Sequence, residues 1–141
     1  MNLKDYPTPS GPLRESFERQ RAAPGSLGLD ARREALATLG RLLRDNADAF
    51  CAAIDRDFQG RARQETLLLE LFPSYGAIKH ARRHVKRWMR PQRRPTNFWF
   101  LPGRSRLVYQ PLGVVGIVVP WNYPIYLAVG PIVAALARAI A

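Results

Sequence analysis

The segment 120–124, which reads Pro-Trp-Asn-Tyr-Pro, combines residue types and spacing suited to a binding turn. It follows a continuous apolar run at 114–119, typical of strands buried on both faces, and precedes a helix that would begin at Pro124. In open α/β sheets, ligands bind beyond the carboxyl ends of the strands, where this turn would lie. Asn122 could contact a ligand there or act as a turn or capping residue, and the five residues alone favour the turn role.

Two histidines and one cysteine are the other side chains that could bind a metal or attack a substrate. His80 and His84 are four residues apart and share a helix face, but their neighbours are cationic, so we predict no metal site. Cys51 is the single cysteine and lies on the apolar side of a periodic run, which favours a buried side chain over a nucleophile. One cysteine fits a reducing compartment, and the N-terminus lacks the apolar stretch of a secretory signal, so we expect a cytoplasmic protein.

The net charge of +11 belongs entirely to the second half of the chain. Residues 1–70 contain 11 basic and 11 acidic side chains, whereas 71–141 contain 11 basic ones and no acid, Glu70 being the last carboxylate. Eight of these cations lie at 79–94, where they could neutralise phosphates or form the solvated face of a helix. No nucleic-acid-binding motif accompanies them, which favours the solvated face. Because the charge is so uneven, nucleic acid, an anionic membrane and an acidic protein surface all stay open as partners at this point.

Apolar periodicity predicts the elements that position these residues. Proline and glycine make 1–29 an extended N-terminal arm, in which the residues around Phe17 allow one short helix. Apolar residues at steps of three or four make 30–91 a helical region, with Asp30 as an N-cap, a division at Asp45-Asn46 and a kink near Pro73.

The remaining residues predict two further units. Residues 92–111 are expected to form a β-hairpin, with strands at 98–101 and 106–110 joined by a Pro-Gly turn. Residues 112–137 carry no charge and exceed the ~20 residues that cross a bilayer, which keeps a membrane anchor as an alternative. The internal prolines instead favour a strand, a turn and a helix within 112–141, the opening unit of a parallel α/β sheet.

The residues of 110–124, Gln-Pro-Leu-Gly-Val-Val-Gly-Ile-Val-Val-Pro-Trp-Asn-Tyr-Pro, followed by Pro131 and Ala-Ala-Leu-Ala at 134–137, closely resemble the aldehyde dehydrogenase superfamily. Upstream, Glu-Thr-Leu-Leu-Leu-Glu-Leu-Phe-Pro-Ser at 65–74 and Trp-Phe-Leu-Pro-Gly-Arg at 99–104 are similar to its bacterial coniferyl aldehyde dehydrogenase branch. The resemblance covers 30–137 and is most specific in the block that ends at Pro124.

The resemblance implies an α/β fold and a mechanism. The expected pieces are N-terminal helices, a hairpin of the oligomerisation sheet and the first strand-helix unit of an incomplete Rossmann-like domain. Family enzymes oxidise an aldehyde to its acid with NAD or NADP: a cysteine thiolate attacks the carbonyl, hydride leaves to the cofactor, and a glutamate activates water. By this resemblance Asn122 donates to the oxyanion, and the main chain of Val119, Pro120 and Trp121 lines the cofactor pocket.

The resemblance also implies that the family's nucleophilic cysteine and general-base glutamate lie beyond position 141. We therefore expect an N-terminal fragment that is inactive alone, from an enzyme that binds a small aldehyde, forms a homo-oligomer and has neither nucleic acid nor membrane as a partner. The alternative from the residues themselves is a small basic protein that binds nucleic acid or associates with a membrane.

Overall fold

The structure, a computed structural model, describes residues 11–23, 27–110 and 113–137. Helices dominate these ranges, and one short antiparallel sheet accompanies them. In chain order the elements are α1 (Pro12–Ala22), α2 (Leu29–Asp45), α3 (Ala47–Phe58), α4 (Arg63–Thr66), a π-helical turn (Leu67–Leu71), α5 (Phe72–Trp88), β1 (Gln92–Arg94), a 3₁₀ turn (Phe98–Phe100), β2 (Ser105–Leu107) and α6 (Pro124–Ala137).

The core lies where α2, α5 and α6 pack together. Each of these helices contributes one apolar stripe at steps of three or four residues, the spacing that places side chains on one face. The buried apolar residues on the three helices are Leu36, Leu43, Ile78, Ala81, Val85, Ile125, Val129, Val133 and Ala137. Since α6 is the last of the three along the chain, the helices that it packs against lie far upstream in the sequence.

The helix boundaries follow the sequence prediction with one correction. Asn46 separates α2 from α3 as predicted, and its side-chain amide donates to the carbonyl of Leu42 at 2.8 Å. The prediction of Asp30 as the N-cap is wrong, because α2 already begins at Leu29 and Gly28 occupies the cap position. Asp30 lies instead in the first turn, where its negative charge still complements the helix dipole.

The kink predicted near Pro73 is a π-helical turn. Proline has no N–H to continue the α-helical ladder, and the N–H of Phe72 donates five residues back to the carbonyl of Leu67. The hydroxyl of Ser74 donates to the carbonyl of Glu70 at 2.6 Å and so adds a side-chain hydrogen bond to this turn. This wider turn carries Glu70 into the interior, where its side chain is fully buried.

The hairpin exists, but its strands differ from the predicted ones. β1 pairs with β2 in antiparallel register, with Arg93 opposite Arg106. The predicted first strand at 98–101 is wrong: Phe98, Trp99 and Phe100 form a 3₁₀ turn capped by the Asn97 side chain, and their rings are exposed. Local β-propensity cannot specify pairing, which depends on the facing strand and on the connecting turn.

The predicted buried strand at 114–119 does not form in the described part of the chain. β1 and β2 make the one sheet there, and 114–120 has no regular secondary structure, with Val118 99% exposed. A strand requires a neighbour for its N–H and C=O groups, and the described residues offer this segment none. Its side chains instead line a cavity of about 610 Å³ with α1.

The two ends of the chain fit the sequence prediction where the structure describes them. α1 is the short helix around Phe17, and the remainder of the predicted arm at 1–10 and 24–26 lies outside the described residues, as do 111–112 and 138–141. α6 begins at Pro124 as predicted. Within the described ranges, none of the helices has the length and apolar character needed to span a bilayer.

Candidate functional site

The carboxylate of Glu70 binds the first backbone N–H groups of α6. Its Oε2 accepts from the N–H of Ile125 at 2.7 Å and from that of Tyr126 at 3.3 Å. α6 has no acidic residue in its first turn, so this carboxylate from 55 residues upstream acts as its cap. The negative charge also stabilises the positive end of the helix dipole.

Arg61 holds the other oxygen of the same carboxylate. Its Nη1 lies 3.3 Å from Oε1 of Glu70, and its Nε lies 3.3 Å from Glu65. The guanidinium is stacked between two rings, 4.2 Å from the centroid of Phe58 and 4.7 Å from that of Tyr123. Arg61 therefore connects the buried carboxylate to the turn that precedes α6, through contacts that suit the planar guanidinium.

The turn that carries Asn122 is fixed on both sides. Trp121 packs on Phe58 with ring centroids 6.0 Å apart, and Tyr123 contacts Arg61 while its carbonyl accepts from the N–H of Leu127 at 3.0 Å. Asn122 lies between these two residues and is exposed. Its side chain forms no hydrogen bond with the described residues, so its amide is available to a ligand.

The far end of α6 is held by a buried cation. The guanidinium of Arg32 is 1% exposed and donates from Nη1 to the carbonyl of Leu136 at 2.8 Å, and from Nε to that of Leu27 at 2.8 Å. Burial lowers the pKa of Arg32 below its usual value, and an arginine guanidinium remains protonated in proteins. A carboxylate at the N-terminus and a guanidinium at the C-terminus match the polarity of the helix.

The residues expected to meet a cofactor lie just before this turn. Val119, Pro120 and Trp121 are exposed, and none of them takes part in a backbone hydrogen bond among the described residues. Their main-chain carbonyls are thus open to a donor from outside. These three residues directly precede Asn122 in the sequence. The structure places Arg61 and Glu70 in contact with the residues that follow Asn122.

Cys51 and the histidine pair lie outside this site. Cys51 is 4% exposed in the core, and burial raises the pKa of its thiol above the usual 9.0. His80 and His84 stack with ring centroids 4.1 Å apart, and Nδ1 of His84 donates to the carbonyl of His80 at 2.8 Å. Across the described ranges, no cluster of three or more His, Cys, Asp or Glu side chains could hold a metal ion.

Comparison with known sequences identifies the family. The sequence model of the aldehyde dehydrogenase family matches residues 17–139. The chain belongs to the aldehyde dehydrogenase family. A probable coniferyl aldehyde dehydrogenase of Pseudomonas aeruginosa is 48% identical over 128 residues, which cover 89% of this chain. A coniferyl aldehyde dehydrogenase of a Pseudomonas species is 35% identical over 136 residues, or 94% of this chain.

The fold agrees with the family. A structure described as the substrate-bound state of Staphylococcus aureus AldH matches 91% of this chain with a TM-score of 0.79 and 22% identity. This confirms the predicted aldehyde dehydrogenase fold class, although the run at 114–119 forms no strand in the described part of the chain. The chain spans 27% and 28% of the lengths of the two Pseudomonas relatives and 28% of the S. aureus chain.

Sequence reasoning missed Glu70 and Arg61. One signal was present: Glu70 is the last carboxylate in the chain and is flanked by leucines, and an acid inside an apolar run requires a partner if it is buried. The identity of that partner, a helix terminus 55 residues away, was not readable from the local pattern.

Replacing Glu70 tests the contact that supports the turn. Glu70→Ala should lower the free energy of unfolding by about 3–5 kcal/mol, because it leaves the N–H groups of Ile125 and Tyr126 without their acceptor and Arg61 without its buried partner. Glu70→Gln keeps one acceptor oxygen and should cost less. Urea denaturation followed by circular dichroism gives both values.

Glu65→Ala is the matched control, because it removes the more exposed carboxylate from the same arginine. It should cost far less than Glu70→Ala. Equal unfolding midpoints for Glu70→Ala and the unmodified chain would contradict the contact.

Burial of Cys51 predicts slow thiol chemistry. At pH 8 the folded chain should react with a disulfide reagent at least about tenfold more slowly than the chain in denaturant. Because the folded pKa is raised, the stability from the neutral thiol is present below the unfolded value of 9.0 and is lost as pH rises through the folded pKa. Equal rates in the folded and denatured chain would show that the thiol is accessible.

Proposed function

We propose that this chain supplies the oxyanion-binding turn of an NAD- or NADP-dependent aldehyde dehydrogenase. The observation that carries the proposal is the exposed amide of Asn122 on a turn supported from behind by Glu70 and Arg61. Family membership supports the reaction class, oxidation of an aldehyde to its carboxylic acid.

The geometry favours the Asn122 side chain over the helix terminus as the donor. When a nucleophile adds to an aldehyde carbonyl, negative charge develops on oxygen and needs a preorganised N–H group. The N–H groups of Ile125 and Tyr126 are already bound to Glu70. The amide of Asn122 is unengaged by the described residues, and being neutral it does not compete as a cation for a nearby thiolate.

The cofactor is part of the proposal, and the residues present suit it. The open main chain of Val119, Pro120 and Trp121 can accept hydrogen bonds from ribose hydroxyls, and the ring of Trp121 packs on Phe58 and so keeps this backbone in place. When bound, NAD or NADP supplies the hydride acceptor. This chain's contribution is to orient the cofactor beside Asn122.

The nucleophile of the proposed reaction is not Cys51. Its burial and raised pKa oppose thiolate formation, and it is the single cysteine of the sequence. We therefore propose that the 141-residue chain shows no aldehyde-dependent reduction of NAD or NADP by itself.

Substrate, assembly and location complete the proposal. The two Pseudomonas relatives support an aromatic aldehyde of the coniferyl type as the substrate. The exposed rings of Phe98, Trp99 and Phe100 on the hairpin support its role in homo-oligomer contacts. The lone cysteine supports the cytoplasm as the location.

A chimera tests the role of Asn122. This chain would replace the matching segment of the Pseudomonas aeruginosa relative, and coniferyl aldehyde oxidation would be followed by NADH absorbance. Asn122→Ala should lower kcat by about 10²–10³ with a smaller effect on KM, because the lost hydrogen bond strengthens in the transition state.

Asn46→Ala is the matched control, since it removes the amide of another exposed asparagine, which lies between α2 and α3 and away from both the turn and the hairpin. It should retain the kcat of the parent chimera. If the parent chimera is active and Asn122→Ala has the same kcat, the assignment of Asn122 is overturned. Turnover by the 141-residue chain alone would overturn the proposed absence of a nucleophile.

A further inference from the structure

A cationic groove runs between α2 and α5, away from the turn that carries Asn122. It encloses about 980 Å³, and its floor is formed by Leu36, Ala37, Gly40 and Ile78. Six cations line its walls: Arg33, Arg41 and Arg44 on α2, and Lys79, Arg82 and Arg83 on α5. Residues 33–44 place the α2 cations along about 16 Å of helix.

Most cations of this groove have no ion-pair partner among the described residues. Arg41 pairs with Glu34 at 2.6 Å and holds the pKa of that carboxyl below its usual 4.5, mainly through the hydrogen bond. The other five cations form no ion pair with a described residue. Arg41 with Arg44, and Lys79 with Arg82, are three residues apart on one helix face, a spacing at which like charges repel.

We propose that the groove binds an acidic peptide segment of a partner protein that carries apolar side chains between its carboxylates. The cations along both walls fit carboxylates, and five of the six are arginines, whose planar guanidinium binds carboxylate through two hydrogen bonds. The apolar floor between the walls fits aliphatic side chains. The sequence agrees with an external partner, because residues 71–141 contain no acidic side chain that could pair with these cations.

The lining favours a peptide over a nucleic acid. Surfaces that bind single strands combine cations with several aromatic rings on which bases stack. Among the described residues that line this groove, Tyr75 is the one aromatic. A phosphate chain by itself would leave the aliphatic floor uncovered. The proposal does not depend on the aldehyde dehydrogenase activity proposed above.

Fluorescence anisotropy on the full chain tests the proposal. The probe is a fluorescein-labelled peptide of four Glu-Glu-Leu-Leu units, titrated at about 0.15 M salt, where long-range attraction is screened beyond about 8 Å. A second peptide with serine in place of leucine keeps the charge and removes the apolar side chains. It should bind at least about fivefold more weakly, because it cannot cover the floor.

Variants separate the groove from general positive charge. The triple variant Lys79→Gln, Arg82→Gln, Arg83→Gln should weaken binding at least about tenfold, since it removes one wall of charge-assisted hydrogen bonds. The matched control Arg87→Gln, Arg90→Gln, Arg93→Gln removes the same charge from exposed residues outside the groove. It should change the affinity for the peptide by less than about twofold. Arg41→Gln with Arg44→Gln tests the opposite wall independently, and circular dichroism verifies the helices of each variant.

Several outcomes would overturn the proposal. These are no binding of the leucine-containing peptide, equal binding of the two peptides, or equal weakening by the groove and control triples. A fifteen-nucleotide thymidine strand that binds more tightly than the peptide and loses its affinity in the groove variants would instead assign the groove to nucleic acid.

Discussion

The carboxylate of Glu70 at the start of α6 is the contact on which the position of Asn122 depends. α6 is apolar throughout, and its first residues enter the core, so the N–H group of Ile125 has no access to bulk water. A buried donor without an acceptor costs about as much as a lost hydrogen bond, and Glu70 removes that cost with a charged acceptor. Arg61 then orients the carboxylate and, through the ring of Tyr123, the turn itself.

The same helix shows why buried charge is tolerated in this core. Glu70 and Arg32 are both fully desolvated, yet each binds the end of α6 whose partial charge is opposite to its own. The two side chains come from segments that precede α6 by many residues and therefore hold both ends of this helix against the helical region. The turn that carries Asn122 adjoins the end that Glu70 binds and is held there through the contact of Arg61 with Tyr123.

The parts of this architecture that rest on local pattern were predictable, and those that rest on distant pairing were not. The stripes of α2, α5 and α6, the break at Asn46 and the start of α6 at Pro124 follow from periodicity and proline chemistry. The family followed from the residues around the turn. The composition of the run at 114–119 predicts a buried strand, but a strand also needs a neighbour. Glu70 and Arg61 acquire their roles only when α6 packs against the π-helical turn.

Amide hydrogen exchange at Ile125 and Tyr126 tests the central claim most directly. Both N–H groups lie in the first turn of a helix, where amides ordinarily exchange fast because they have no partner within the helix. With Glu70 as their acceptor, they are predicted to exchange as slowly as Val129, which lies in the middle of α6 and is buried. Exchange of both at the rate of an unstructured peptide, while Val129 remains protected, would show that Glu70 does not hold the turn that carries Asn122.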